Sequence, residues 1–509
     1  MAAKYRSAEA FLEELKPEAL ENPNDIPHLE EGAGNVSEHQ VPWYEPYVIS
    51  SMFFATSARS NIMTPLLLPL LVQAFVGESL KGTYFGILRL STLMIALLVQ
   101  AIAGILSDHS TSKHGRRRPF ILAGNIMDIL SFVAIGAIAT TMSGMSGYWV
   151  LLLVVVVSMV ASNLGHGATQ GLIPDIAPKS KYALFSSIKS LLEVPLPIIF
   201  VFLVVKGKIE NQNYWAALIL LIVVYVICTV LTMLIKEKPQ KVAPPIEKGA
   251  IWRIVAMTVA FSLIIFALGL VVKFALPLIT GRNLPDLLLM GVLGLAVMLI
   301  AVILGVIASL RIGLGDKAKS EKTFTWWVIN RLAFIVGVTN LSSFLLYFVQ
   351  ERFADAKGAA AVSPVMMLMG ILAIGLLLSS IFATRMMTWL GVKRLILVSG
   401  FLGAIGSGIV VFAPSLPIMV VGGFICGLAM GFFYAANWAL GVSIVPKAEA
   451  GRYLGLSNLA GAGAGAIGAY LGGPIGDAGG FTLLMSLYGL MFLFSTLALT
   501  QIKGVESKA

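Results

Sequence analysis

The sequence predicts an all-α polytopic membrane protein, a bundle of about fourteen membrane-crossing helices. Three observations carry that prediction. Of the 509 residues, 58% are hydrophobic and only 12% charged, with a mean hydropathy of +0.89; a soluble chain of this length needs far more polar surface. Apolar runs of the ~20 residues that a spanning helix requires recur along the whole chain. The Lys and Arg residues behind the net charge of +10 fall in short loops between those runs, where membrane topology puts them. That placement excludes nucleic acid as the partner of the basic excess.

Residues 1–46 form a polar, acidic tail (EELKPEALENPNDIPHLEEG). It has no basic segment leading into an apolar one, so it is not a signal peptide, and Pro17, Pro23 and Pro27 break any long helix. Six spans follow within 47–235, near 47–76, 82–106, 119–142, 148–173, 183–205 and 213–235. A linker, 236–323, opens with the charged KEKPQKVAPPIEKG and carries two inserted spans near 251–279 and 285–310. Six more spans occupy 324–502, near 324–350, 363–385, 393–412, 417–445, 453–474 and 480–502, and residues 503–509 form a short tail. Cys228 and Cys426 fall inside apolar segments and act as small hydrophobes. Loops at 107–118, 174–182, 236–250, 311–323, 385–394 and 446–452 are rich in Lys and Arg, whereas those near 142–147, 413–416 and 475–480 carry none. The positive-inside rule then places both termini in the cytoplasm of a multi-pass protein of the cell (plasma or inner) membrane.

The two sets of six spans are related. GLIPDIAPKSKYALFSSIKS (171–190) and ALGVSIVPKAEAGRYLGLSN (439–458) occupy matching places and carry Pro-Lys at one offset, Pro178-Lys179 and Pro446-Lys447. Two six-helix bundles repeated in parallel, here with a central two-helix insertion, are the plan of the major facilitator fold, with alternating access about a central site. The insertion completes neither repeat, so the hairpin is expected outside the central cavity.

GILSDHSTSKHGRRRPFILAG (104–124) lies between the second and third spans. Asp108 ends one span, Gly104 lies one turn before it, and Gly115, Arg116, Arg117 and Arg118 lead into Pro119, a good first residue for the next helix. An acid facing an arginine cluster makes charge-assisted bonds that one conformation keeps and another loses. With Asp175, at the end of the fourth span, these residues are a candidate conformational latch, expected near the loop between the tenth and eleventh spans; topology alone is the alternative reason for the arginines. The long Asp108–Gly115 gap followed by GRRRPFI resembles the sucrose:proton symporters and the wider glycoside–pentoside–hexuronide:cation symporter group. SNLGHGATQGLIPD (162–175) and AANWALGVSIVPKAEAGRYLGLSN (435–458) are similar to segments of the same group. The chain departs from it in two places. Met159 stands where the plant sucrose carriers have an embedded acid, with Gln170 at their arginine, and no acid lies between Gly82 and Ser107, where melibiose-type members bind sodium.

Ionisable residues inside a bilayer face a cavity or a partner. Arg59 lies ~18 Å into the first span and Glu193 at similar depth in the fifth, with Lys189 one turn away on the same face. The candidate substrate-binding residues are Arg59, His166, Lys189, Arg331, Tyr434, Asn437 and Trp438, from spans 1, 4, 5, 7 and 10. Glu193 and Asp128 are the candidate proton-coupling acids, Glu193 as the expected partner of Arg59 and Asp128 as a structural group on a peripheral helix. Lys189 and Glu193 can equally neutralise one another, and Trp438 and Tyr434 can serve packing alone. Arg89 and Lys273 are placed near the outer membrane edge, snorkelling to water.

The resemblance implies a secondary active transporter of a glycoside-like or other polar organic solute, coupled to protons or another cation. Two alternatives stay open: a facilitator-type carrier of an anionic or lysolipid-like substrate, and a non-transporting membrane assembly or sensor protein. No GxxxxGK[ST] loop, HExxH or zinc spacing occurs, so neither enzyme, cofactor nor metal is expected. The expected partners are the solute, a proton or other cation, and membrane lipids.

Overall fold

The computed structural model describes residues 42–235, 237, 249–279, 281, 283–446, 453, 456–457 and 459–502. The first six long helices are α1 (Glu45–Val76), α2 (Lys81–Asp108), α3 (Arg118–Thr141), α4 (Gly144–Gln170), α5 (Tyr182–Glu193 continued through Pro195–Phe200 to Glu210) and α6 (Tyr214–Met233). The inserted hairpin is α7 (Ala250–Ala275) and α8 (Leu284–Leu314). The last six are α9 (Lys322–Arg352), α10 (Val362–Leu390), α11 (Val392–Phe412), α12 (Leu416–Ile444), α13 (Leu459–Gly479) and α14 (Phe481–Thr500). Thirteen described segments are long and apolar enough to cross a membrane; α13, rich in Gly and Ala, is the remaining expected span.

Local chemistry sets the boundaries. Proline, which fits the first helical turn, starts α1, α3, α8 and α12. Asn213 and Asn283 accept from Ala216 N and Asp286 N at 3.0 Å and cap α6 and α8. Pro65 cannot donate to the helical ladder, and α1 widens into a π-turn over Met63–Leu67. α5 breaks at Val194, directly before Pro195.

The loops after α2, α4, α6, α8, α10 and α12 lie at one end of the bundle, here the basic face; those after α1, α3, α5, α9, α11 and α13 lie at the far face. The two six-helix halves are bonded to each other at the far face. Lys81 Nζ donates to Gln350 at 2.9 Å, Gln350 donates to Gln73 at 2.9 Å, and Tyr347 OH donates to the Pro69 carbonyl at 2.8 Å. The Gly82 and Thr83 amides at the start of α2 donate to the Asp477 carboxylate of α13 at 2.8 and 2.6 Å. This contact needs glycine, because a Cβ on Gly82 would stand 2.6 Å from the Gly473 carbonyl oxygen. The α7–α8 hairpin packs outside the halves on α13 and α14, with Gly269 against Tyr470, Gly463 against Phe261, and Gly294 between Ile475 and Leu487.

Candidate functional site

Between the halves lies a cavity of about 560 Å³. Its walls come from α1 (Arg59, Asn61, Thr64), α2 (Arg89, Leu93), α3 (Ile135), α4 (Ser158, Met159), α9 (Thr339, Ser342), α10 (Met369) and α12 (Tyr434), with no hairpin residue among them. α2 thus takes a place in the wall that the sequence assigned to α5. Arg59 and Arg89 are each only 7% exposed, whereas Tyr434 keeps 37% of its surface open. The arginines are thus buried in the wall, while Ser60 and Tyr434 of the same wall stay exposed.

Arg59 has a different partner from the one expected. Its Nε lies 2.9 Å from the Asp128 carboxylate, its Nη2 donates to Ser158 Oγ at 2.8 Å, and Ser158 Oγ donates to Asp128 at 2.5 Å. The expected Arg59–Glu193 pair is absent because α3 brings its acid directly behind Arg59, fully buried, while Glu193 is held by Lys189 at 3.0 Å with both side chains about one-third exposed. Asp128 thus stands behind Arg59 and Ser158, one layer outside the residues that line the cavity.

Towards the basic face, Lys189 Nζ sits 4.6 Å from the Phe53 ring centroid. His166 meets the same ring edge-on at 6.2 Å and lies 3.0 Å from Gln170 Nε2. Across from them Arg331 donates to Asn437 Oδ1 at 3.1 Å and lies 5.8 Å from the Trp438 ring and 5.9 Å from that of Trp327. Asn437 in turn donates to Asn330, and Asn330 to Ser495, so a buried amide chain fixes the arginine.

The charged latch candidates lie together at the basic end of the first half. Arg117 binds Asp108 at 2.5 Å, Asp175 at 2.9 Å and Ser107 Oγ at 2.7 Å; Arg116 forks onto Asp175, and Arg118 donates to the Met233 carbonyl. Hydrogen bonding and charge from Asp175 raise the Arg116 pKa further, so that this cation does not titrate. Gly115 adopts φ +96°, and a Cβ there would collide with Glu237. Glu237 accepts from the Arg117 amide at 2.9 Å, an anion on the positive end of α3. Nothing lies within 4 Å of where a Cβ on Gly104 would stand, but Gly167 of α4 packs on the backbone here: its Cβ would stand 2.9 Å from the Gln100 carbonyl oxygen and 3.3 Å from Gly104 N. The expected neighbour of the cluster, the loop 446–452, lies outside the described residues from 447 onward.

Arg89 corrects a second expectation. It does not snorkel; it is buried in the cavity wall. Gly82, Gly86, Arg89 and Leu93 recur at the spacing of one helical face, and small residues on that face mark packing against protein rather than lipid. That signal was present in the sequence. Among the described residues, no group of three or more His, Cys, Asp or Glu converges as a metal site.

Two halves bonded at one face around a central, largely apolar cavity that takes in two arginines define a membrane carrier. Residues 62–254 match the family described as MFS/sugar transport protein, and residues 327–508 the Major Facilitator Superfamily. The chain belongs to the major facilitator superfamily and is similar to the sucrose:proton symporters. It is 32% identical over 89 residues to the sucrose transport protein SUC3 of Arabidopsis thaliana, covering 18% of this chain and 14% of that one. It is also 32% identical over 96 residues to SUC4 of the same plant, covering 16% and 18%. The matches thus span less than a fifth of either relative. Among solved structures, a POT family transporter in complex with 5-aminolevulinic acid aligns with TM-score 0.62 and 14% identity over 91% of this chain and 99% of that one. A D-xylose-proton symporter aligns with TM-score 0.59 and 15% identity over 90% and 97%. These two show the shared fold. The chain is accordingly a carrier and not an enzyme.

Proposed function

We propose that the chain is a proton-coupled secondary transporter of a sugar-like polar organic solute in the cell membrane, with its basic face and both termini in the cytoplasm. The units of this machine are the bundle 47–235, the linker and hairpin 236–323, and the bundle 324–502, flanked by the tails 1–46 and 503–509. The observation that carries the reading is the cavity between the halves, which are bonded to each other at the far face. Rocking the halves about it exposes the site alternately. The resemblance to sucrose carriers supports the solute class, and the Arg59–Asp128–Ser158 set supports the coupling. A proton on Asp128 cancels its charge and frees Arg59 towards the cavity; losing the proton restores the pair. Lys189, Glu193 and His166 on one wall, and Arg331, Trp438 and Tyr434 on the other, line the way to the cytoplasm and receive the solute there, with Asn437 holding Arg331 from behind.

Proteoliposomes test this. Asp128→Asn should abolish solute accumulation driven by a pH gradient while sparing solute-for-solute exchange. Glu193→Gln should slow uptake without removing accumulation. Concentrative uptake by Asp128→Asn would move the coupling acid elsewhere, and failure of all solutes to exchange would remove the carrier reading itself.

A further inference from the structure

Arg89 is a buried cation without a counter-charge. Its side chain is 7% exposed and lines the central cavity. Its one hydrogen bond is a long one, 3.4 Å from Nη1 to Thr64 Oγ1, and its Nε is buried without a partner. The contrast with Arg59 decides the argument. Both guanidinium groups border the same space, yet Arg59 is neutralised by Asp128 and bonded to Ser158. Among the described residues of the cavity wall no carboxylate faces Arg89, so the wall carries one uncompensated positive charge. A charge in such surroundings is costly unless something supplies the opposite sign.

The neighbours do not supply it. Ser342 and Ser343 hydroxyls donate back to the Val338 and Thr339 carbonyls of their own helix, which leaves their oxygen lone pairs, and no negative charge, towards the cavity. A Cβ added to Gly465 of α13 would stand 3.4 Å from Arg89 Nη2, so the bare glycine leaves the guanidinium its room beside that helix. The guanidinium thus lies where α2 packs on α13, presenting a planar fork of donors whose one protein acceptor among the described residues is the distant Thr64 hydroxyl. Such a fork suits a carboxylate or a phosphate bidentately.

We propose that Arg89 is the anchor for an anionic group on the transported solute, a carboxylate or phosphate carried on a polar, sugar-sized body. The inference rests on the carrier reading above and narrows its substrate class. A neutral sugar leaves Arg89 uncompensated; an acidic one neutralises it. Because Arg89 lies where α2 packs on α13 of the second half, an anion bound there also ties the halves together.

The test uses the purified full-length chain in nanodiscs and one sugar skeleton in three forms: methyl glucoside, glucuronate and glucose 6-phosphate. Binding is read by thermal shift, and transport separately by exchange in proteoliposomes. The wild type should bind at least one acidic form about tenfold or more tighter than the neutral one, the scale of a charge-assisted bond. Arg89→Gln should erase that preference, and Arg89→Lys should keep part of it. The melting temperature of each variant without solute separates lost binding from lost folding. Equal binding of the neutral form, an unaltered preference in Arg89→Gln, or no binding of either acidic form overturns the proposal. A shift of full size with inorganic phosphate or chloride alone assigns the site to a free ion and overturns the solute assignment. Exchange of neutral methyl glucoside without acid binding would sink this inference and leave the carrier reading standing; acid binding without any exchange would do the reverse.

Discussion

The far face and the basic face hold comparable sets of charged and polar bonds, yet they join different things. At the far face Lys81, Gln350, Asp477 and the amides of α2 tie one half to the other. At the basic face the described bonds of Arg116, Arg117, Arg118, Asp108, Asp175 and Glu237 tie together helix ends of the first half. The alternating access proposed above would break the first set in every cycle and carry the second along intact. Bonds between halves therefore set conformational equilibria, and bonds within a half set its stability.

Substitutions can break that distinction. The largest effect is expected from Gly82→Val, whose added carbons would strike the Gly473 carbonyl and hold the far face ajar. Overpacking of this kind costs ~1–3 kcal/mol, so exchange should fall by about tenfold or more, and a cysteine at Gln350 should become reactive from the far side. A reactivity equal to wild type would show that the seal closes without this contact. Asp477→Asn keeps the shape and removes the charge. It should shift the far-face equilibrium towards opening by ~1–3 kcal/mol, read from probe distances between the halves at that face. Asp175→Asn should lower the melting temperature by an amount worth ~1 kcal/mol while the far-face distances stay put. A change in those distances would mean that the cluster also grips the second half.

The smallest effect is expected at Glu78, in the far-face loop. Burial pushes its pKa up, but hydrogen bonds from Lys81 and Gln73 outweigh this, and the net shift is downward. A carboxylate lowered on folding stabilises the fold above its ordinary pKa and loses that contribution as pH falls through the lowered one. Melting of Glu78→Gln should therefore differ slightly from wild type at pH 7, and the difference should vanish in acid. A difference that grows in acid would reverse the sign.

The spans, their order and the separate hairpin were legible because hydropathy and proline placement act locally. The pairing of Arg59 was not, since depth along a helix says nothing of which neighbour its face meets; α3, not α5, stands behind it. Arg89 was misplaced for the opposite reason. Its distance from the helix end suggested water, while the Gly82–Gly86 stripe on its own face already pointed to protein. Gly115 was singled out correctly with its arginines, but its positive φ and its contact with Glu237 depend on a residue more than a hundred positions later.

That distance has a consequence for how the protein is made. The start of α3 is fastened by Met233 and Glu237 at the end of α6, and the start of α11 by the Ile502 carbonyl beyond α14, which accepts from Lys393 at 2.5 Å. Each six-helix unit is thus tied off by its own last-synthesised residues. A chain emerging from the ribosome in order can finish and lock the first unit once residue 237 is out, before the hairpin exists. The second must wait, with α11 unfastened, for nearly the whole protein. Truncations just after 237 should then be tolerated by the membrane quality-control machinery far better than those just before 502.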